Sequence, residues 1–222
     1  MTLPVTILVV AKAPEPGRAK TRLAATVGDR AAAEIAAAAL LDTLDAVAAA
    51  PVAARVVALT GDLDNAAAAA EIRERLDAFT VIGQRGDDFA DRLANAHADA
   101  GSAGYPVLQI GMDTPQVSAE LLAECARRLL SCAAVLGMAF DGGWWVLGVQ
   151  DPDAAQCLRG VPMSQPDTGD LTCKALRDNG IDVALVQELA DIDVIGDVAV
   201  VRQACEPASR FARLTESVAT SS

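Results

Sequence analysis

Short apolar runs alternate along the chain with longer segments whose apolar residues recur at helical spacing. Residues 4–10, PVTILVV, are apolar on both faces and rich in β-branched side chains, which predicts a central parallel strand. Runs at 55–59 (RVVAL), 79–82 (FTVI), 105–110 (YPVLQI), 133–138, 144–149 and 183–187 (VALVQ) read as further strands. Between them the pattern predicts helices over 29–50, 65–76, 88–100 and 167–179, one beginning after Ser118, and a closing helix from Asp197 onward. Asp29 reads as the N-cap of the first helix, with Pro51 beyond its end; Ser118 caps its helix, with Glu120 in the first turn.

Strands alternating with helices predict a three-layer α/β fold, a mostly parallel sheet with helices on both faces. The segment 133–149, folded back by a short Gly-rich turn, predicts one antiparallel strand. No internal repeat or low-complexity linker interrupts the pattern, so residues 1–216 read as one domain and 217–222 as a frayed tail. In such sheets ligands bind beyond the carboxyl ends of the strands.

Composition narrows the picture. Hydrophobic residues make up 52% of the 222 but aromatics only 3%, so the core must be built from Ala, Val, Leu and Ile. A net charge of −12 argues against a nucleic-acid partner, because phosphate backbones are held by basic surfaces. A small anion is a different matter, since salt screens charges beyond about 8–10 Å and a local cationic pocket can still capture it. The five cysteines form no C-x-x-C pair, which argues against a disulfide framework or a zinc finger and for reduced thiols. The first apolar run has no cation before it and Lys12 sits where a leader would be cleaved, so a buried strand is expected there rather than a targeting signal. No run approaches the ~18–20 apolar residues of a membrane span. The expectation is a cytoplasmic protein with no membrane partner.

Against this acidic background, AKAPEPGRAKTRL at 11–23 packs Lys12, Arg18, Lys20 and Arg22 around one acid, Glu15. Pro14 and Pro16 restrict the residues before them, and Glu15-Pro16-Gly17-Arg18 carries the type II turn signature. The loop follows the first strand, where a ligand is expected. Ala11, Lys12, Pro16, Gly17, Lys20 and Arg22 are therefore candidates for a phosphate grip, Lys20 and Arg22 neutralising charge while backbone N–H groups donate. A solvated charged turn would use the same residues, and the Walker A spacing is absent.

Three carboxylate motifs fall at strand ends. In GMDTP, 111–115, Asp113 is presented at the sheet edge, where a carboxylate with phosphate oxygens and water suffices for Mg²⁺. In FDGGWW, 140–145, Gly142 and Gly143 beside Asp141 allow close approach of a ligand, although a plain hairpin uses Asp-Gly too. Trp144 and Trp145 alternate, so one should face the core and the other solvent or a ligand. In DIDVIGDV, 191–198, an extended chain would point Asp191 and Asp193 the same way, attracting a divalent ion; a helix-capping Asp is the plain alternative. His97 is the lone histidine, sits in a predicted helix and reads as structural, which removes a Ser-His-Asp centre.

AKAPEPGRAKTRL, GMDTP, DGGWWVLG, VPMSQPDTG and DIDVIGDV, in that order, resemble the glycosyltransferase-A-like family first filed as a domain of unknown function. Its members are often named arsenosugar-biosynthesis glycosyltransferase or radical-SAM/selenodomain-associated transferase. The resemblance runs from about residue 5 to 200 and implies a Rossmann-like nucleotide-diphospho-sugar transferase fold. It also implies that Lys20 and Arg22 face phosphates and that Asp113 with Asp191 or Asp193 holds Mg²⁺ or Mn²⁺. DIDVIGDV lacks the Thr-Pro of related nucleotidyltransferases, and VPMSQPDTG has Met where many relatives carry Trp.

Three readings stand beside one another, the first two of them implied by the resemblance. The first is glycosyl transfer from a nucleoside diphosphate sugar, with Asp113, Asp141 and Lys20 as catalytic residues, Asp141 acting as base or sugar contact. Gly142, Gly143 and Trp144 would face the sugar or a small-molecule acceptor. The second is nucleotidyl transfer, guanylyltransferase-like, to a phosphorylated acceptor, which four cations would suit. The third is a non-catalytic nucleotide-binding subunit. A homodimer is a candidate assembly.

Overall fold

The computed structural model describes residues 1–216; the tail assigned to 217–222 lies outside the described residues. The chain runs β1 (Leu3–Lys12), α1 (Thr21–Val27), α2 (Asp29–Ala49), β2 (Val52–Thr60), α3 (Ala69–Leu76), β3 (Thr80–Gly83), α4 (Phe89–Ala100) and β4 (Val107–Gly111). It continues through α5 (Ala119–Leu129), β5 (Ala134–Met138), β6 (Trp144–Val149), α6 (Thr168–Asp178), β7 (Val183–Leu185), α7 (Ile195–Ala204) and α8 (Arg210–Leu214).

The strands form one sheet in the order β3-β2-β1-β4-β6-β5-β7. All pairings are parallel except those of β6, which runs antiparallel to β4 and β5. This is the α/β sheet with one reversed strand that the periodicity predicts. β1 lies inside the sheet between β2 and β4, with Ile7, Leu8 and Val9 all at 0% exposure, because it is covered on both faces. Ile7 and Val9 pack with Leu40 and Leu44 of α2 and Leu122 of α5. Leu8 and Val10 pack with Leu93 of α4 and Leu176 of α6. From β1 the chain steps outward through β2 and β3, then returns to place β4 on the other side. That reversal opens a crevice at the carboxyl ends of β1 and β4.

The Ala-rich α2 is buried on more than its sheet-facing side. Ala32, Ile35 and Ala39 meet Leu23 of α1, Val198 and Val201 of α7 and Phe211 of α8 in a third cluster. Small side chains let these helices approach α2 closely. Several boundaries differ from expectation. Gly28, at φ +85°, occupies the N-cap position of α2, so Asp29 lies in the first turn and meets the helix dipole there. The helix expected over 65–76 begins at Ala69; Leu63–Asn65 form instead a single 3-10 turn capped by the Asp62 carboxylate. The short helix α1 was not expected, and the closing helix is split into α7 and α8. Among the described residues no helix is long and apolar enough to cross a membrane.

Candidate active site at the carboxyl edge of the sheet

β1 runs on to Lys12, which pairs with Thr60 at the end of β2. The chain then turns at Glu15–Arg18: Gly17 takes φ +77° and the Arg18 N–H donates to the Glu15 carbonyl at 3.0 Å. This is the type II turn the sequence predicts, with the positive φ falling on the residue without a Cβ. The Glu15 carboxylate is buried and accepts the Asp62 N–H at 3.0 Å, which braces the loop against the end of β2. The basic loop is therefore held from below as well as stiffened from within.

Its cations are largely engaged. Lys20, a non-glycine residue at φ +48°, turns the chain into α1 and sends its ammonium 2.7 Å from Asp113 Oδ2 and onto the Ile192 carbonyl. Arg22 donates to Asp193 Oδ2 at 2.5 Å. Arg18 lies 3.5 Å from Glu15 Oε2. Among the described residues the Lys12 ammonium donates only to the Arg18 carbonyl, at 2.8 Å, and has no carboxylate partner. Long-range pairs thus stitch the basic loop to the end of β4 and to the segment after β7.

The carboxylates facing these cations share one crevice of roughly 1180 Å³. Asp113, Asp141, Asp191 and Asp193 all line it. Asp113 Oδ1 is buried with no hydrogen-bond partner among the described residues. Burial pushes the Asp191 carboxyl up to about 6; the charges of Asp141 and Asp113 add to this, while Lys20 opposes it. Arg22 is raised above its usual range by its hydrogen bond to Asp193 and by that residue's charge. An orphaned carboxylate oxygen beside a second, destabilised carboxylate is a donor set that fits a hard divalent cation. Among the described residues no three acidic, imidazole or thiol side chains converge into a closed metal cage. Mg²⁺ does not require one, since it keeps waters and takes substrate phosphate oxygens.

The turn after β5 supplies the opposite wall. Asp141 Oδ1 accepts the Gly143 N–H at 2.7 Å, which fixes the carboxylate at the rim. Gly142, at φ +88°, is wedged against the next loop, where a Cβ would come 1.7 Å from the Pro166 carbonyl oxygen. Both tryptophans line the crevice, Trp144 half-exposed and Trp145 buried, the indole N–H of Trp145 donating to the Gln187 carbonyl at 2.7 Å. The alternation of the two rings is as the sequence predicts.

The family model DUF2064, described as an uncharacterized protein conserved in bacteria, matches residues 43–165, more than half of the chain. The chain belongs to the DUF2064 family. Among solved structures, one described as a "putative nucleotide-diphospho-sugar transferase" from Desulfovibrio desulfuricans G20 superposes with a TM-score of 0.83 at 26% identity, over 99% of this chain and 96% of that one. A 4-diphosphocytidyl-2C-methyl-D-erythritol synthase from Anaerococcus prevotii superposes with a TM-score of 0.57 at 11% identity, covering 90% of this chain and 96% of that one. A cytidylyltransferase from Leptospira borgpetersenii gives 0.55 at 12% identity, covering 98% and 94%. The last two share the fold. No curated protein sequence matches the chain.

Within this DUF2064 fold, the crevice brings together Ala11, Lys12, Lys20, Arg22, Asp113, Asp141, Gly143, Trp144, Asp191 and Asp193 of the residues singled out from the sequence. Pro16, Gly17 and Gly142 do not line it; they shape the two turns that do. Asp193 faces Arg22, while Asp191 shares the field of Asp113 and Asp141. Met163, the Met of VPMSQPDTG, lines the crevice as well; Gln84, Phe89, Arg92 and Gln109 also line it and were not singled out. Polar residues on a solvated helix or inside an apolar strand carry no local signal of function. His97 is fully buried on α4, outside the crevice, and burial pushes its imidazole down to about 3, so it stays neutral.

Proposed function

We propose that this DUF2064 protein is a nucleotide-dependent transferase that takes a nucleoside diphosphate sugar and Mg²⁺ in the crevice between β1 and β4. The observation that carries this reading is the facing arrangement of the basic loop and the Asp113–Asp191 pair across one crevice. The structural likeness to a nucleotide-diphospho-sugar transferase supports it. Lys12, free of any carboxylate among the described residues, would meet the diphosphate together with N–H groups of the loop. Asp113 and Asp191 would hold Mg²⁺, which would supply Lewis-acid stabilisation of the leaving diphosphate.

In this reaction the acceptor oxygen bonds to the anomeric carbon. The bond from that carbon to the diphosphate oxygen breaks, and its electron pair leaves with the nucleoside diphosphate. Asp141 would take the acceptor's proton on Oδ2, since Oδ1 is occupied by the Gly143 N–H. Trp144 would lie against the sugar or acceptor.

Nucleotidyl transfer is the second reading, supported by fold likeness to a cytidylyltransferase. Four free cations would suit a triphosphate, but Arg18, Lys20 and Arg22 already have carboxylate partners, which weakens that match. A panel of nucleotide sugars and nucleoside di- and triphosphates, each with and without Mg²⁺, separates the readings by thermal shift. A ligand at about 100 times its Kd adds ~2.7 kcal/mol, a visible rise in Tm. A Mg²⁺-dependent shift with nucleotide sugars is expected; a shift confined to triphosphates would favour nucleotidyl transfer, and none at all would refute both.

A further inference from the structure

A second cation in the crevice has no carboxylate to balance it. Arg92 lines the crevice from α4 and forms no ion pair among the described residues. Its Nε is buried without a hydrogen-bond partner, and its guanidinium lies 6.0 Å from the centre of the exposed Phe89 ring. Gln109 of β4, 1% exposed, lines the same crevice, and its Oε1 is also buried and unpartnered among the described residues. Its neighbours Leu108 and Ile110 face α2 and α5, so the alternation of the strand sends Gln109 toward α4. Arg92 therefore approaches the crevice from the α4 face, opposite the face where α1 and α2 carry the basic loop.

An unpaired guanidinium and an orphaned carboxamide lining one crevice are costly in a folded protein unless something else completes them. The planar fork of Arg matches carboxylate and phosphate oxygens, and an amide can donate to an oxyanion while accepting from a hydroxyl. We propose that Arg92 and Gln109 form an acceptor subsite that recognises a small molecule bearing a carboxylate or phosphate close to a hydroxyl. This rests on the transferase reading above, to which it adds the chemical class of the second substrate: an anionic one, rather than a neutral sugar or lipid.

The test is calorimetric titration of the full chain with glycerate, glycerol 3-phosphate and glycerol, repeated with Arg92→Met, Arg92→Lys, Gln109→Leu and Lys12→Met. Binding of one or both anions but not of glycerol is expected, and which of them binds distinguishes carboxylate from phosphate. Arg92→Met should weaken that binding about tenfold or more, the usual loss for a hydrogen bond to a charged group. Arg92→Lys should recover only part of it. Gln109→Leu should weaken it while leaving Tm equal or higher, because the substitution removes an orphaned polar group; a purely structural Gln109 would lower Tm instead.

The nucleotide panel is read in parallel on each variant. A nucleotide shift kept by Arg92→Met but reduced in Lys12→Met is expected. If anion binding is the same in Arg92→Met as in the parent, or absent from the parent, the subsite is refuted while the nucleotide result stands by itself. If Arg92→Met weakens nucleotide binding as much as Lys12→Met does, Arg92 belongs to the donor site and the proposal falls. An absent nucleotide shift alongside Arg92-dependent anion binding would instead sink the transferase reading.

Discussion

Replacing Asp191 by Asn removes a carboxylate that folding makes harder to ionise. Its carboxyl is pushed from 3.8 up to about 6 by burial, by Asp141 and by Asp113. Between those two values the folded protein binds more protons than the unfolded chain. Asp191 therefore costs nothing below about pH 3.8, and its charge becomes progressively destabilising as pH rises through 6. A shift of about two units corresponds to ~2.7 kcal/mol in full, and partial solvent access at this half-buried side chain reduces it to about 1–2 kcal/mol. At pH 8, without metal or nucleotide, Asp191→Asn should be the more stable protein by that amount, or roughly 2–8 °C in Tm for a chain of this length.

Urea unfolding of both proteins at pH 4 and pH 8 measures the difference directly. The two should coincide at pH 4 and separate at pH 8. Adding Mg²⁺ with a nucleotide that binds should reverse the order, since the parent gains a ligand the variant cannot fully hold. A variant less stable than the parent at pH 8, or a difference that does not change with pH, would refute the field assigned to this crevice.

Two further outcomes are expected. Lys12→Met should lower nucleotide affinity about tenfold without moving Tm, because Nζ is exposed and bonds only one carbonyl; calorimetry and melting together check this. Arg210→Ala should cost roughly 1–3 kcal/mol in urea unfolding, since the half-exposed guanidinium balances Asp42, Asp45 and Glu71 and holds α8 on α2. That loss should shrink in acid, where the three carboxylates are protonated and need no partner.

Much of the fold was legible without coordinates. β6 spans the 144–149 expected for it, and Ser118 does cap α5, its side chain accepting the Leu121 N–H. The helix α1 escaped notice because TRLAATV is only 7 residues long and follows a residue in left-handed conformation, with no capping side chain to announce it. Asp29 carries the composition of an N-cap, but Gly28 takes the turn that leads out of α1, and that geometry moved the cap one residue back. At the site, the motifs at the ends of β1, β4 and β5 were readable from Gly, Pro and Asp placement. Arg92 looked like any charged residue on an amphipathic helix, and Gln109 like an interruption in an apolar strand.

The sequence by itself determined the alternation of strand and helix, the type II turn at Glu15–Arg18 and the presence of carboxylates at the sheet edge. Each depends on residues adjacent in the chain, through side-chain periodicity or through the backbone limits of Pro and Gly. Tertiary structure alone decided which charges meet. Arg22 and Asp193 are 171 residues apart, and only the strand order that brings the segment after β7 back across the crevice pairs them. Among the described residues the same closure leaves Lys12 and Arg92 without acidic partners on opposite sides of the cleft. Coulomb energy falls with distance in space, not along the chain, so no local pattern could have distinguished the free cations from the neutralised ones.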